Sequence, residues 1–267
     1  MIILTGGAGF IGSNFLNYLN SKGLYNILIV DSIKKSNKWR TLVGKNFNDF
    51  IDKSDLFTVL DSPHVNIEAI IHLGACSSTT ENDFDYLLKN NYEYSKRLFH
   101  YAVKRDVPFI YASSAASYGD GKDGFDDEIH PSRLNPMNQY GYLKNLFDYY
   151  VLNQKYSNQV VGLKFFNVYG PGEENKGEMS SVILKKYNEL SSGKRPSLFK
   201  SYDSNIRDGE QMRDFIFVED ICSIIYYFLE NSTISGIFNV GTENPKSFNE
   251  LVHVLMGCMN IEREIDY

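Results

Sequence analysis

Three cysteines, one tryptophan and seven prolines among 267 residues exclude several architectures at once. Cys76, Cys222 and Cys258 stand far apart and form no Cys-x-x-Cys pair. Neither a disulfide framework nor a clustered metal site has the residues it needs, and buried free thiols in a reducing compartment are the expectation. Positive charge is in short supply too: 27 Lys and Arg face 33 Asp and Glu, a net charge of −6. That balance gives no general attraction to nucleic acid or to an anionic membrane, so any phosphate must be held by local groups. No apolar run approaches the length of a membrane span, and no signal peptide precedes the first strand. A cytoplasmic protein is expected. Internal repeats and low-complexity linkers are also missing.

What is present starts at the first residue. The apolar run Ile2-Ile3-Leu4 reads as a buried strand and is followed by Thr5-Gly6-Gly7-Ala8-Gly9-Phe10-Ile11-Gly12. Helical spacing follows (Ile11, Phe15, Leu16, Leu19), then a second apolar run, Ile27 to Val30, ending on Asp31. Strand, glycine turn, helix, strand and acid is the order a dinucleotide needs. Gly7 is expected to turn the chain off the strand, Gly9 to admit a pyrophosphate and Gly12 to let the helix pack closely. The helix N-terminus offers unpaired N–H groups to phosphates, and Asp31 can reach ribose hydroxyls. The basic loop after it (Lys34, Lys35, Lys38, Arg40), with Lys53 further on, reads as a solvated surface or as the partner of a 2′-phosphate. A carboxylate at Asp31 repels that phosphate, so charges alone leave NAD and NADP both open.

Strand-like runs alternate with helical patterns through the first two-thirds, which predicts an α/β protein with a Rossmann-type doubly wound parallel sheet. Residues 1–167 are assigned to a dinucleotide-binding domain. Residues 168–267 form a smaller C-terminal α/β substrate region, interleaved with the last strands of the main sheet. Helices are expected at 82–104, from about 140 to 156, 179–191, 218–230 and 247–259, and strands at 236–240 and 261–267. The strand over 68–73 runs into Gly74-Ala75-Cys76-Ser77-Ser78, small residues against which a cofactor can lie, and Asn90 can reach back to it. His72, inside that apolar run, is expected to be a hydrogen-bonded structural residue.

The chemistry sits further along. A strand at 108–112 ends in Ser113-Ser114, and Tyr140 and Lys144, four apart, share one helix face. A nearby ammonium is expected to lower the tyrosine pKa toward neutrality and make it a general base for an alcohol proton. Tyr-x-x-x-Lys is weak by itself, but here it follows a dinucleotide fingerprint and a serine-bearing strand end.

Together the 5–12 turn, Ser114, Tyr140 and Lys144 resemble the extended, sugar-nucleotide-modifying branch of the short-chain dehydrogenase/reductase superfamily. Residues 1–14, Gly74-Ala75-Cys76-Ser77-Ser78-Thr79-Thr80-Glu81, 111–116, 140–144, 165–171 and Lys176-Gly177-x-Met179 are similar to the ADP-L-glycero-D-manno-heptose 6-epimerases. The likeness covers nearly the whole chain, and the 74–81 run is much more specific than the glycine turn. It implies an NADP-dependent isomerase, with NAD the lesser candidate. That enzyme inverts heptose carbon 6 through a 6-keto intermediate during lipopolysaccharide core synthesis. The family also implies a homo-oligomer, a homopentamer. On this resemblance Tyr140 is one acid/base, Lys144 supports it and holds the nicotinamide ribose, Ser114 orients the reacting oxygen and Lys176 is the second acid/base. The implied cofactor contacts are Gly6, Gly9, Phe10, Ile11, Gly12, Asp31, Ser32, Lys38, Lys53, Leu73, Gly74, Ala75, Cys76, Ser77, Asn90 and Val168. Tyr140, Lys144 and Lys176 complete that set. The implied substrate contacts are Ser114, Asn167, Glu178, Lys185, Phe199 and Arg213.

Several positions depart from the family pattern. Ser32 replaces an asparagine, Leu73 a glutamate and Glu178 a serine, and the stretch 201–212 is longer than usual. The family also continues for some tens of residues past the position of Tyr267, with a basic, aromatic segment that helps close the pocket. The resemblance therefore implies either a truncated chain or a pocket closed differently. Two rivals remain at this stage. One is another superfamily enzyme, a 4-epimerase or 4,6-dehydratase, although Ser114 is followed by Ala115-Ala116 rather than the acidic pair of a dehydratase. The other is a non-catalytic NADP-binding protein, which retention of Ser114, Tyr140 and Lys144 disfavours.

Overall fold

The computed structural model describes residues 1–62 and 65–267. Strand β1 (Ile2–Thr5) leads into helix α1 (Phe10–Ser21), β2 (Ile27–Asp31), β3 (Asp49–Asp52), α2 (Leu56–Leu60) and β4 (Ala69–His72). Helix α3 (Phe84–Leu87) passes through one wide π-helical stretch, Leu88–Glu93, into α4 (Tyr94–Arg105). Then come β5 (Phe109–Ser114), α5 (Gln139–Leu152) and β6 (Val160–Phe165). The remainder comprises β7 (Asn167–Tyr169), α6 (Val182–Ser191), β8 (Met212–Arg213), β9 (Phe215–Phe217), α7 (Val218–Glu230), β10 (Gly236–Val240), β11 (Lys246–Ser247) and α8 (Phe248–Met259).

Seven strands pair in the order β10-β6-β5-β4-β1-β2-β3, all parallel. The chain winds outward in both directions from the β1–β4 boundary, and a ligand crosses an open sheet at such a point. Period-two alternation feeds two cores. Ile2, Leu4, Ile27 and Ile29 pack under α1 and α7 through Phe15, Leu19, Ile221 and Ile225. Ile3, Leu28, Val30 and Phe109 pack on the other face under α4 and α5, through Leu98, Phe99, Phe147 and Val151. Because both faces are covered, these strands read as continuous apolar runs rather than alternating ones. A third cluster joins α6 and α8 through Leu190, Leu198, Phe248, Leu251 and Met256. The main sheet takes β10, and its first core takes α7, from the far side of residue 167.

Four local expectations are corrected. Helix α5 stops at Leu152 rather than near 156, where Asn153 turns its amide back to the Tyr149 carbonyl at 2.7 Å. The 261–267 stretch is not a strand: Asp266 forms one isolated bridge with Ser197, and Ile261 and Ile265 are held by the third core instead. The 82–104 helix begins at Phe84, after Asp83 caps it through the Tyr86 N–H. The 179–191 helix begins at Val182, because Ser181 caps it through the Leu184 N–H.

Candidate active site

The turn after β1 is made by Gly6 rather than Gly7. Gly6 has φ +70°, and a Cβ there would lie 2.6 Å from the Gly74 nitrogen, so the residue must be glycine on both counts. Gly7 instead packs against the Ile29 side chain. Helix α1 starts with no side-chain cap, which leaves its first N–H groups for a ligand. Asp31, at the end of β2, accepts from the Ala8 N–H at 3.0 Å and lies 3.5 Å from the Lys38 ammonium. Lys53 is half-buried and donates to the Asn90 side-chain oxygen; burial and the nearby Lys34 and Lys38 charges lower its pKa.

The segment after β4 is fastened from behind. Leu73 N–H donates to the Thr5 carbonyl and Gly74 N–H to the Thr5 hydroxyl. His72 bridges the Thr5 hydroxyl at 2.7 Å and the Ser95 hydroxyl at 2.8 Å; burial, with the Lys144 charge, pulls its pKa down to about 3. The imidazole is therefore neutral and structural at ordinary pH.

Ser114 ends β5, and Asn138 caps α5 through the Gly141 N–H at 2.8 Å, placing Tyr140 in the first turn. A Cβ on Gly141 would sit 2.6 Å from the Ala116 carbonyl oxygen, so this glycine lets the tyrosine helix approach the serine loop. Tyr140 and Ser114 line the same cleft. The expectation of a lowered tyrosine pKa is corrected. Burial raises it by more than the nearby Ser114 hydroxyl lowers it. The Lys144 ammonium lies 6.0 Å from the Tyr140 ring centre and donates to the Ala112 carbonyl at 2.6 Å. Burial brings Lys144 itself down to about 8, partly opposed by Asp148.

Lys176 reaches the same cleft from a 3-10 segment, Glu174–Met179, with its ammonium 5.1 Å from the Phe10 ring centre. Burial lowers its pKa, against a raising effect from Glu173. Buried Glu173 fastens this segment by accepting from the Ser181 N–H and hydroxyl at 2.6 and 2.7 Å. Asn14 ties the preceding Pro171 carbonyl to α1 at 2.8 Å.

One cleft of about 810 Å³ is lined by all the residues named above as cofactor contacts, and also by Ser114. Ile33, Lys34, Tyr86, Asn175 and Met179 line it as well. Of these Lys34 had a sequence signal in its basic loop and Met179 in the Lys176-Gly177-x-Met179 pattern; Ile33, Tyr86 and Asn175 had none. Glu173 carries none, and neither does Asn91, whose buried side chain pairs with both peptide groups of Cys76, because their work is done through tertiary contacts. The other substrate candidates lie outside these walls. Glu178 and Lys185 line a second hollow of about 410 Å³, with the Lys185 ammonium donating to the Glu178 carbonyl. The 174–179 segment contributes to both hollows. Asn167 and Phe199 are exposed, and so is Arg213, whose guanidinium sits 5.9 Å from the Phe248 ring centre.

A doubly wound sheet with an uncapped glycine turn at its switch point and a Ser-Tyr-Lys set on the same cleft defines a nicotinamide-dinucleotide enzyme acting on a carbinol. The chain belongs to the NAD dependent epimerase/dehydratase family, whose model matches residues 2–241. It is 44% identical to the ADP-L-glycero-D-manno-heptose-6-epimerase of Fusobacterium nucleatum, across the whole chain and 82% of that protein. Identity to the enzyme of that name from Nitratidesulfovibrio vulgaris is 42%, covering the whole chain and 84% of the relative. Among solved structures, Helicobacter pylori ADP-L-glycero-D-manno-heptose-6-epimerase superposes with a TM-score of 0.87 at 29% identity, covering the whole chain and 83% of that structure. The UDP-N-acetylglucosamine 4-epimerase of Methanobrevibacter ruminantium M1 gives 0.84 at 25% identity, covering the whole chain and 84% of that structure. The protein is thus an enzyme of the sugar-nucleotide epimerase type that uses a nicotinamide dinucleotide. Among the described residues no helix is long and apolar enough to cross a membrane.

Proposed function

We propose that the chain inverts carbon 6 of the heptose in ADP-D-glycero-β-D-manno-heptose to give the L-glycero epimer, with NADP as the tightly held cofactor. The observation that carries this reading is that Tyr140 and Lys176 line one cleft although they come from different parts of the chain. Inversion at a carbinol carbon needs proton exchange with the oxygen presented in two orientations, and two separated acid/base groups supply it. The dinucleotide, when bound, supplies a hydride acceptor that returns the hydride, so no net oxidation occurs. The chain does the rest. Ser114 holds the reacting oxygen by a hydrogen bond, and Tyr140 takes its proton as the phenolate, a form that the Lys144 ammonium must favour against the burial that opposes it. Lys144 supports the phenolate and holds the ribose next to the nicotinamide. Lys176 serves the oxygen after the 6-keto intermediate has turned over in the site.

The dinucleotide fits these walls. The α1 N-terminus is free for the pyrophosphate, and Asp31 faces the adenosine ribose. Lys34, Lys35, Lys38 and Lys53 line the cleft together with that carboxylate, and Lys38 is paired with it. Local charge at this end is positive despite the net −6, which supports NADP over NAD.

The test is incubation of the purified chain with ADP-D-glycero-β-D-manno-heptose, with chromatographic separation of the two C6 epimers and Tyr140→Phe in parallel. Conversion by the wild type that collapses in Tyr140→Phe is the expected result. No conversion by a protein that retains NADP would overturn the assignment of this substrate.

A further inference from the structure

Buried beside Ser114 and Lys144 is a charge pair to which no role has yet been given. Asp148 and Lys164 are 0% and 1% exposed, and their Oδ2 and Nζ atoms are 2.7 Å apart. Asp148 also accepts from the Tyr111 hydroxyl at 2.9 Å and the Ser113 hydroxyl at 2.6 Å. Lys164 donates to the Ser117 hydroxyl at 2.8 Å, and that hydroxyl donates to the Ser114 carbonyl at 2.8 Å.

The connections converge on the reacting groups. Tyr111 and Ser113 flank Ala112, whose carbonyl receives the Lys144 ammonium. Tyr140, Lys144 and Asp148 follow at four-residue intervals on one face of α5. One carboxylate therefore ties β5, β6 and α5 together around Ser114 and Lys144. Stability alone does not call for this arrangement, because desolvating two charges offsets their attraction and a well-packed apolar pair serves as well.

We propose that Asp148, paired with Lys164, is a positioning residue of the reaction: it sets the Ser114 and Ala112 end of β5 against the face of α5 that carries Tyr140 and Lys144. The proposal rests on the roles assigned above to Ser114, Tyr140 and Lys144. Tyr140 and Asp148 flank Lys144 on its own helix, and His72 on β4, which is neutral, feels its charge; Tyr111 on β5 and Lys164 on β6 stand behind Asp148. Removing Asp148 takes away a carboxylate that favours the Lys144 ammonium.

Asp148→Asn alone strands a buried cation and can fail to fold, so the decisive variant is Asp148→Asn with Lys164→Met, which removes both charges. In protein carrying ε-13C-lysine, the Lys144 signal is identified by its loss in Lys144→Met and followed by NMR as pH rises. In the double variant the Lys144 midpoint should fall, by up to about one pH unit, because loss of the Lys164 cation offsets only part of the loss of the carboxylate on the same helix face. The high-pH limb of epimerisation should fall with it, and kcat should drop by about tenfold with KM held. A purely structural pair would leave that midpoint and kcat at wild-type values once stability is regained, and this result would overturn the proposal. The NMR midpoint is read on NADP-bound protein without sugar, so a mistaken substrate assignment does not affect it.

Discussion

Asn91 and the peptide groups of Cys76 form a closed reciprocal pair, Cys76 N–H to Asn91 Oδ1 and Asn91 Nδ2–H to the Cys76 carbonyl, both at 2.8 Å. A buried amide on the helix after β4 thus does for the cleft wall what a neighbouring strand would do, satisfying a donor and an acceptor at once. At Cys76 the cleft wall is held by this one side chain.

Replacing that side chain should loosen the wall. In Asn91→Ala the Cys76 groups lose both partners, which should cost roughly 1–3 kcal/mol. Urea denaturation should show the loss, and NADP titration by fluorescence should show weaker binding. An unchanged denaturation midpoint would count against the pair.

His72 makes stability depend on pH in a definite direction. Its pKa is about 3 in the folded protein against 6.5 unfolded. The unfolded chain therefore binds the extra proton between these values. The stabilisation is complete above about 6.5 and is lost as pH falls toward 3, up to roughly 5 kcal/mol in all. Urea midpoints for wild type and His72→Asn at pH 7 and pH 5 should show a shallower pH slope in the variant, whatever its starting stability.

Lys38 should govern the choice between dinucleotides. Lys38→Ala removes the ammonium 3.5 Å from Asp31 and leaves that carboxylate less screened. NADP affinity should fall by roughly tenfold or more, with NAD affected far less, as read by paired titrations at fixed ionic strength. Equal losses for both would place Lys38 away from the 2′-phosphate.

Lys176 should matter for turnover and little for holding the cofactor. Lys176→Met should lower the epimerisation rate by about 10²–10⁴-fold with NADP still bound. A variant within twofold of wild type would remove Lys176 from the acid/base role.

The dinucleotide half of the site is legible in the sequence because its parts are local. A glycine turn, an uncapped helix start and a strand-end acid fall within 31 residues, and backbone geometry places them without help from afar. Tyr140 and Lys144 are legible for the same reason, four residues apart on one helix. Gly7 was misassigned because both neighbouring glycines permit the turn, and only the contact between Gly6 and Gly74 distinguishes them.

The tertiary structure decided what depends on distant residues meeting. Burial raises the Tyr140 pKa where spacing alone suggests that Lys144 lowers it, since desolvation is a property of everything packed around a group. Residues 261–267 have an apolar pattern but find no strand partner beyond one bridge, because the third core claims their isoleucines. Asn91, Glu173 and Asp148 are ordinary polar letters until folding buries them, and a buried polar group must then find partners. Sequence by itself determined the order of elements and the local groups that chemistry requires; only the packed structure decided which groups face one another and what charge each one carries.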